Sequence, residues 1–449
     1  MKCIEDEIPF ELPEGWAWAR LGTVAEAIGD GDHQPPPQTS SGIPFLVISN
    51  VSGGALSFEN TRFVSIEYFN RLPETRKPQN GDLLFTVTGS YGIPVLVDTD
   101  DMFCFQRHIA IVRPCTISNR YLYVILGSSY VKSICDAKAT GTAQKTVGLA
   151  TLRELLIPIA PHTEQMQIYA KTQNTLSIVD SISSDKEALL NIIKNTKAKI
   201  LNLAIRGQLV LQDPNDESAS VLLERIKAEK EALIKQGKIK RDKKESVIFK
   251  GDDNSYYEKL PNEKANCIDE QLPFELPEGW EWTRLGCISD AIQYGLSNSA
   301  ETFGDYRLLR ITDIQDGHVD WDSVPFTSID EPETYLLHEN DIVFARTGAT
   351  VGKSFFITDL PYASVYASYL IRIRLMSGIS PNYVYQFFNS NCYWDQVTSK
   401  AVGVGQPNCN GTSLKGLFVP LPSKTEQQRI ANKVAELFES LSCVEENLN

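Results

Sequence analysis

The 449-residue chain has no uninterrupted apolar run of 18 residues or more, which excludes a bilayer-spanning helix. Its opening, MKCIEDEIPFELPEGW, carries acids where a secretory leader carries a basic and then an apolar stretch; a cytoplasmic protein with no membrane role is expected. Histidine is scarce, with five residues scattered singly, and none of the nine cysteines (Cys3, Cys104, Cys115, Cys135, Cys267, Cys287, Cys392, Cys409 and Cys443) forms a C-x-x-C pair. Neither a metal site nor a disulfide framework is expected, and the cysteines read as small buried thiols. Catalytic signatures are missing too: there is no H-E-x-x-H, no G-x-S-x-G, no Asn-Pro-Pro-aromatic or Asp-Pro-Pro-Tyr methyltransferase loop, and no glycine fingerprint after an N-terminal strand. Gly348-Ala-Thr-Val-Gly352-Lys353-Ser354 comes nearest to a phosphate-cradling loop, but it has three residues between its glycines instead of four, and no apolar helix-forming run follows. Asp32-His33 and Asp330-Glu331 read as solvated loop residues. The sequence points to binding rather than catalysis.

What is present suits packed domains. Hydrophobic residues make up 42% and charged residues 22%, and at roughly 100 to 200 residues per domain the length predicts two to four domains. The net charge is −14, but it is uneven: −4 over residues 1–162, +4 over 163–250 and −14 over 251–449. Such a balance excludes a wholesale electrostatic coat for nucleic acid while allowing local basic patches.

An internal duplication organises the chain. PFELPEGWAWARLG at residues 9–22 returns as PFELPEGWEWTRLG at 273–286, with 12 of 14 positions identical. DLLFTVTGSYG from Asp82 is echoed by DIVFARTGATVG from Asp341. Gln144, Leu152, Pro158, Thr163, Glu164, Gln165 and Ile168 align with Gln406, Leu414, Pro420, Thr425, Glu426, Gln427 and Ile430 at a constant offset of 262. Three blocks in one order mean two homologous domains, too long for solenoid repeats. Within them IPFLVI (43–48), DLLFTVT (82–88), GIPVLVD (92–98), IAIVRP (109–114), DIVFART (341–347), KSFFIT (353–358) and LIRIRL (370–375) read as strands, and SNRYLYVILGS and SPNYVYQFFNS as helices. Trp16, Trp18, Trp280 and Trp282 read as core packing.

Each repeat ends in prolines followed by Thr-Glu-Gln, which starts a helix near 163 and again near 425. Spacings alternating four and three pick out Ile168, Thr172, Thr175, Val179, Ile182, Lys186, Leu189, Ile193, Thr196, Ile200 and Leu203 along the first, and Ile430, Val434, Leu437, Leu441, Val444 and Leu448 along the second. That period of about 3.5 is a coiled-coil seam. At about 1.5 Å per residue the helices span roughly 60 Å and 40 Å, so antiparallel packing is expected to leave the far end of the first uncovered. Residues 218–235 predict a short amphipathic helix with Val221, Leu222, Ile226 and Leu233 inward, and GKIKRDKKESVIFKGDDNSYYEKLPNEK reads as a mobile linker. The expected fold is mixed α/β: a first domain at 1–162, a central helical region and start of a linker at 163–250, the linker and a second domain at 251–423, and a distal helix at 424–449.

The ordered set resembles the specificity (S) subunit of type I restriction-modification systems. It comprises the LPEGWxWxRLG openings, the Thr-Gly turns at Thr88-Gly89 and Thr347-Gly348, the Gln144 and Gln406 blocks, the PxPxxxTEQxxI helix starts, the run from Leu203 through Arg206-Gly207 and the Ser220-Val-Leu-Leu helix. The resemblance implies two target-recognition domains, held apart by helices, that read the halves of a split asymmetric site on double-stranded DNA. It also implies docking of two methyltransferase subunits and, through them, restriction subunits. S-adenosylmethionine, ATP and Mg are implied for those partners and no cofactor for this chain; a truncated or orphan protein-binding scaffold is the alternative. Major-groove reading needs Arg, Lys, Asn and Gln, with Ser, Thr and Lys on phosphates. The loop candidates are Thr88, Ser90, Tyr91, Arg107, Gln144 and Lys145 in the first domain, and Arg346, Thr347, Lys353, Gln406 and Asn408 in the second. Arg346 stands opposite Val87, and Pro407 opposite Lys145.

Overall fold

Strands buried on both faces run almost wholly apolar, and both repeats carry one. Leu83–Thr86 (β5) sends Leu83 and Phe85 into a core with Tyr121, Leu122 and Ile125, and sends Leu84 into another with Leu46, Val95, Phe105 and Ile111. Ile342–Ala345 (β19) repeats the device: Ile342 and Phe344 meet Tyr383, Val384 and Phe387, while Val343 and Ala345 meet Leu309, Trp321 and Tyr366. At about 1.5–3 kcal/mol per buried large side chain, these layers supply much of each domain's stability. The computed structural model describes residues 5–34, 36–142, 144–242, 245–315, 317–400 and 408–448. The chain divides into two compact units, Met1–Ser184 and Asp185–Asn449, the division falling inside a long helix.

In the first unit, Ala17–Arg20 (β1) pairs antiparallel with Leu156–Ile159 (β9), Trp18 opposite Pro158. A four-stranded antiparallel sheet runs Ala25–Asp30 (β2), Ile109–Pro114 (β8), β5, Pro94–Leu96 (β6). A second sheet places Ile43–Leu46 (β3) between Arg62–Val64 (β4) and Cys104–Phe105 (β7). The helices are Leu21–Val24 (α1), Ile66–Arg71 (α2), Asn119–Leu126 (α3), Ser129–Lys138 (α4), Leu149–Glu154 (α5) and His162–Ile205 (α6), the last shared with the second unit.

The second unit repeats the plan. Glu281–Arg284 (β13) pairs with Phe418–Leu421 (β23), Trp282 opposite Pro420. The four-stranded sheet runs Ser289–Tyr294 (β14), Leu370–Leu375 (β22), β19, Ser354–Phe356 (β20), and the three-stranded sheet runs Phe326–Thr327 (β18), Tyr306–Leu309 (β15), Ser364–Tyr366 (β21). Ile314–Gln315 (β16) and His318–Val319 (β17) form a small hairpin. Helices Pro381–Phe388 (α8), Asn391–Lys400 (α9), Gly411–Lys415 (α10) and Lys424–Glu446 (α11) follow the order of α3 to α6.

The Trp and Thr-Glu-Gln blocks meet as one clasp in each unit. Trp16 Nε1 donates to Glu164 Oε2 and Trp280 Nε1 to Glu426 Oε2, both at 3.0 Å. Gln165 Oε1 accepts from the Ser118 N–H at 2.9 Å, and Gln427 Oε1 from Ser380 at 2.7 Å, at the residues that cap α3 and α8. Tyr121 and Tyr383 donate to the carbonyls of Pro158 and Pro420. The start of the repeat is thereby tied to the helix that ends it.

The second unit adds two elements. Ala219–Lys235 (α7) buries Leu222 and Ile226, but Val221 is 47% exposed and Ala219 takes an inward place instead, a correction to the expected face. The stretch expected as a mobile linker holds two strands, Val247–Lys250 (β10) and Tyr256–Lys259 (β11), of a three-stranded sheet that Asn266–Cys267 (β12) completes just beyond it. The sheet forms because Ile248 and Ile268 cover Trp282 and Phe418, and because Glu258 on β11 takes a bidentate pair from Arg284 at 2.9 and 2.6 Å.

The seam is exposed in its middle: Ile168 packs against the core of the first unit, and the other end is covered in the second unit. Ile200, Leu201, Ala204 and Ile205 share a core with Ile430 and Val434, and Lys197 Nζ lies 2.7 Å from Glu445 Oε2. Further along, Gly207 abuts Trp280, the residue that holds Glu426, so this end of α6 and α11 run antiparallel. A Cβ at Gly207, where φ is +67°, would fall 2.6 Å from Pro277. Val179 and Ile182 are 51% and 62% exposed, and Leu189 is exposed too. The cysteines depart from the expectation: Cys104, Cys135, Cys392 and Cys409 are buried, whereas Cys115, Cys267 and Cys443 are exposed; Cys3 lies outside the described residues.

Candidate nucleic-acid interface

Antiparallel order brings the end of β5, the end of β2 and the starts of β8 and β6 to one edge of the four-stranded sheet, and the candidates of the first unit gather there. The Val87 N–H donates to the His108 carbonyl at 2.9 Å, and the Val147 N–H to the Val87 carbonyl at 2.8 Å. The second bond seats a hairpin closed by Thr140 and Thr146, which exchange backbone bonds at 3.0 and 2.8 Å. Gly89, in the left-handed region at φ +74°, donates its N–H to the Lys145 carbonyl, so Ser90, Gln144 and Lys145 stand side by side and exposed. Arg107 is exposed beside them at the start of β8.

Two candidates have other partners. Thr88 is buried, its hydroxyl 3.2 Å from that of Thr146, and it holds the hairpin. Tyr91 turns to α4: its hydroxyl donates to Asp136 at 2.7 Å, and Lys132 Nζ sits 4.1 Å from the ring centroid. The hydrogen bond to Asp136 holds the Tyr91 phenol above its usual range.

Residues not picked out from sequence complete this edge. Gln106 Nε2 lies 2.9 Å from His108 Nδ1, and burial, then the Arg107 charge, hold the His108 imidazole below its ordinary value. Asp32, expected as a solvated loop residue, accepts from the Tyr68 hydroxyl and, at 3.0 Å, from Arg76 Nη1. A strand pairing explains the difference, because Asp32 bridges Gln106 and is drawn against α2.

The matching edge of the second unit holds Arg346, Thr347, Lys353 and Asn408. Gln406 lies outside the described residues, as does Pro407. The Arg346 N–H donates to the Tyr369 carbonyl at 3.1 Å and its carbonyl accepts from Cys409 at 2.9 Å, while Thr347 bridges Asn408. Lys353 and Asn408 are exposed. The Gly348–Ser354 segment makes one 3-10 turn at Gly348–Thr350 and then enters β20, so it offers no helix start on which a phosphate would sit. The guanidinium of Arg346 lies 4.8 Å from the ring centroid of Tyr294, whose hydroxyl accepts from the Gly411 N–H at 2.8 Å. Tyr294 and the exposed Tyr369 were not legible as site residues, since only strand topology sets them beside Arg346.

Among the described residues no group of three or more His, Cys, Asp or Glu is arranged to hold a metal ion, and no helix is long and apolar enough to cross a membrane.

The sequence model of the type I restriction modification DNA specificity domain matches residues 13–192 and 277–449, one match in each repeat. The chain belongs to this type I restriction-modification specificity family. The EcoAI specificity subunit of Escherichia coli is 28% identical, with 97% of this chain and 80% of the relative covered. The EcoKI specificity subunit of E. coli strain K12 is 23% identical over 98% of this chain and 85% of the relative. Among solved structures, a chain from work on complex assembly and conformational transition of the type I R-M system superposes with a TM-score of 0.64 at 18% identity, covering 98% of this chain and 94% of that one. The HsdS subunit of Thermoanaerobacter tengcongensis gives 0.52 at 19% identity, covering 98% and 93%. Both share the specificity-subunit fold of two mixed α/β domains with a long helix between them.

Proposed function

We propose that the chain is the non-catalytic DNA-reading subunit of a type I restriction-modification complex, its two sheet edges reading different halves of a split, asymmetric duplex target. The observation that carries this is a duplicated edge with one backbone scheme and different side chains. Ser90, Arg107, Gln144 and Lys145 present groups for phosphates and base edges in one copy, as Arg346, Thr347, Lys353 and Asn408 do in the other. Equivalent scaffolds with unlike donors suit unlike half-sites. Thr88 and Tyr91 act in this reading by shaping the first edge.

The apolar stripe of α6 around Val179, Ile182 and Leu189 is proposed to dock methyltransferase subunits, two per complex. These carry S-adenosylmethionine and recruit ATP- and Mg-dependent restriction subunits in the cytoplasm. The acidic balance of residues 251–449 implies that the chain alone binds DNA weakly and that partners supply most phosphate contacts. The test measures duplex binding with and without the methyltransferase, across salt concentrations. Weak binding by the chain and selective binding by the complex are expected; tight, salt-sensitive binding by the chain alone, or no affinity for any duplex in complex, refutes the reading. Lengthening α6 by one heptad, about 10 Å, is expected to shift the gap between half-sites, and an unchanged gap overturns the spacing role.

A further inference from the structure

Arginines of the second unit are mostly neutralised where they sit. Arg284 pairs with Glu258, Arg310 with Asp313, Arg374 with Asp341 and Arg429 with Asp216. Arg346 has no carboxylate partner among the described residues, and its Nε is buried without a hydrogen-bond partner. Its backbone is nevertheless held at both the N–H and the C=O, and its guanidinium is laid against Tyr294, itself held by the Gly411 N–H. A guanidinium set against an aromatic ring and without a carboxylate partner among the described residues, on an edge that also bears Lys353 and Asn408, suits a ligand with a defined acceptor geometry.

From this we infer that Arg346 reads a guanine in the half-site of the second unit, its fork donating to O6 and N7 in the major groove, with Tyr294 as the positioning residue. The inference rests on the DNA-reading role proposed above. The alternative for an edge cation is a phosphate, and the two differ in what they require. A phosphate contact carries no sequence information and is served by a freely moving ammonium such as that of Lys353. A planar guanidinium lying over an aromatic ring, with both backbone groups pinned, instead suits bidentate base recognition. The sister edge has Val87 at this place, 3% exposed and without a side-chain donor, so no equivalent contact is made from that position in the other half-site.

The complex is reconstituted with its methyltransferase subunits, and binding is measured on duplexes with both half-sites randomised. The unaltered complex should require one particular G·C pair in the second unit's half-site. Arg346→Ala should lower that preference roughly 5- to 150-fold, leaving every other position and the other half-site unchanged. Arg346→Lys, which keeps the charge, should not restore it. Tyr294→Phe should retain the preference, whereas Tyr294→Leu should weaken it at that same base pair only. Replacing the guanine by 7-deazaguanine, which needs no protein variant, should weaken binding by the unaltered complex and leave binding by Arg346→Ala unaffected. An equal loss on all sequences in Arg346→Ala, or an unchanged preference, overturns the inference while sparing the DNA-reading role. An unaltered complex without any sequence preference defeats both.

Discussion

The duplication provides an internal control for a buried charge. In the first unit Asp82 takes Arg113 bidentately at 2.9 and 2.8 Å, and in the second Asp341 takes Arg374 at 2.8 and 2.7 Å. The second copy carries an additional cation: Arg372, with its side chain 4% exposed and its Nε 4.0 Å from Asp341, stands where the first copy has Ile111. Burial holds the Arg372 pKa below its ordinary value, so the guanidinium leans on the Asp341 charge. Asp341→Asn leaves two cations facing a neutral amide and should cost about 3–5 kcal/mol. Asp82→Asn leaves only Arg113, 13% exposed against 4% for Arg372, and should cost less, about 3 kcal/mol at the low end of the same range. Arg372→Ile imports the residue of the sister copy. It gives up a 2.6 Å bond to the Leu336 carbonyl, which keeps a bond from Arg374 at 3.3 Å. In that background Asp341→Asn should cost no more than Asp82→Asn. The assay is hydrogen exchange on peptides from β22 and β19, with β8 and β5 as controls. At about 1.36 kcal/mol per decade, Asp341→Asn should accelerate exchange in the second unit by about two to four orders of magnitude. Equal losses in the two units, or an Asp341→Asn penalty unaltered by Arg372→Ile, would refute the argument.

Three further outcomes follow from geometry. Ile430→Ala, at a fully buried position facing the end of α6, should cost about 2–5 kcal/mol in denaturant titration, whereas Ile182→Ala should stay within about 0.5 kcal/mol of the parent yet weaken methyltransferase association in pull-down; equal stability losses contradict a seam left open in its middle. Burial raises the Glu426 carboxyl above its usual range, so the native state retains this proton longer than the unfolded chain does, and stability falls as pH rises from the ordinary glutamate range through the raised value. Glu426→Gln should flatten denaturation midpoints across that window, and an unaltered slope counts against the assignment. Lys145→Ala should reduce the salt dependence of binding by the complex by about one counterion without altering base preference; a changed preference would make Lys145 a base reader.

Where a segment's own pattern dictates its structure, the sequence shows it plainly. IAIVRP and LIRIRL are strands at the expected residues, and helices start at His162 and Lys424 because prolines and Thr-Glu-Gln leave no other local choice. The 3.5-residue seam was visible, but which part of it is covered depends on the reach of α11. The β10–β12 sheet was hidden because on β10 only Ile248 points inward, and a single inward residue makes no periodic signal. Its stability comes from Trp282, 34 residues beyond Ile248, and from the Arg284–Glu258 pair. The candidate site divides the same way. Polar loop residues next to a Thr-Gly turn could be named, but the engagement of Thr88 with Thr146, of Tyr91 with α4 and of Arg346 with Tyr294 exists only once distant strands have been brought together.

The clasp between each opening tryptophan and its closing glutamate has a genetic corollary. β1 meets β9 and β13 meets β23 in the same register, Trp18 opposite Pro158 and Trp282 opposite Pro420, so either opening strand fits either closing strand. A crossover between the coding stretches for the repeated PFELPEGW would therefore splice one lobe's hem onto the other's lining without disturbing the seam, letting a lineage trade or shed a whole lobe in a single step.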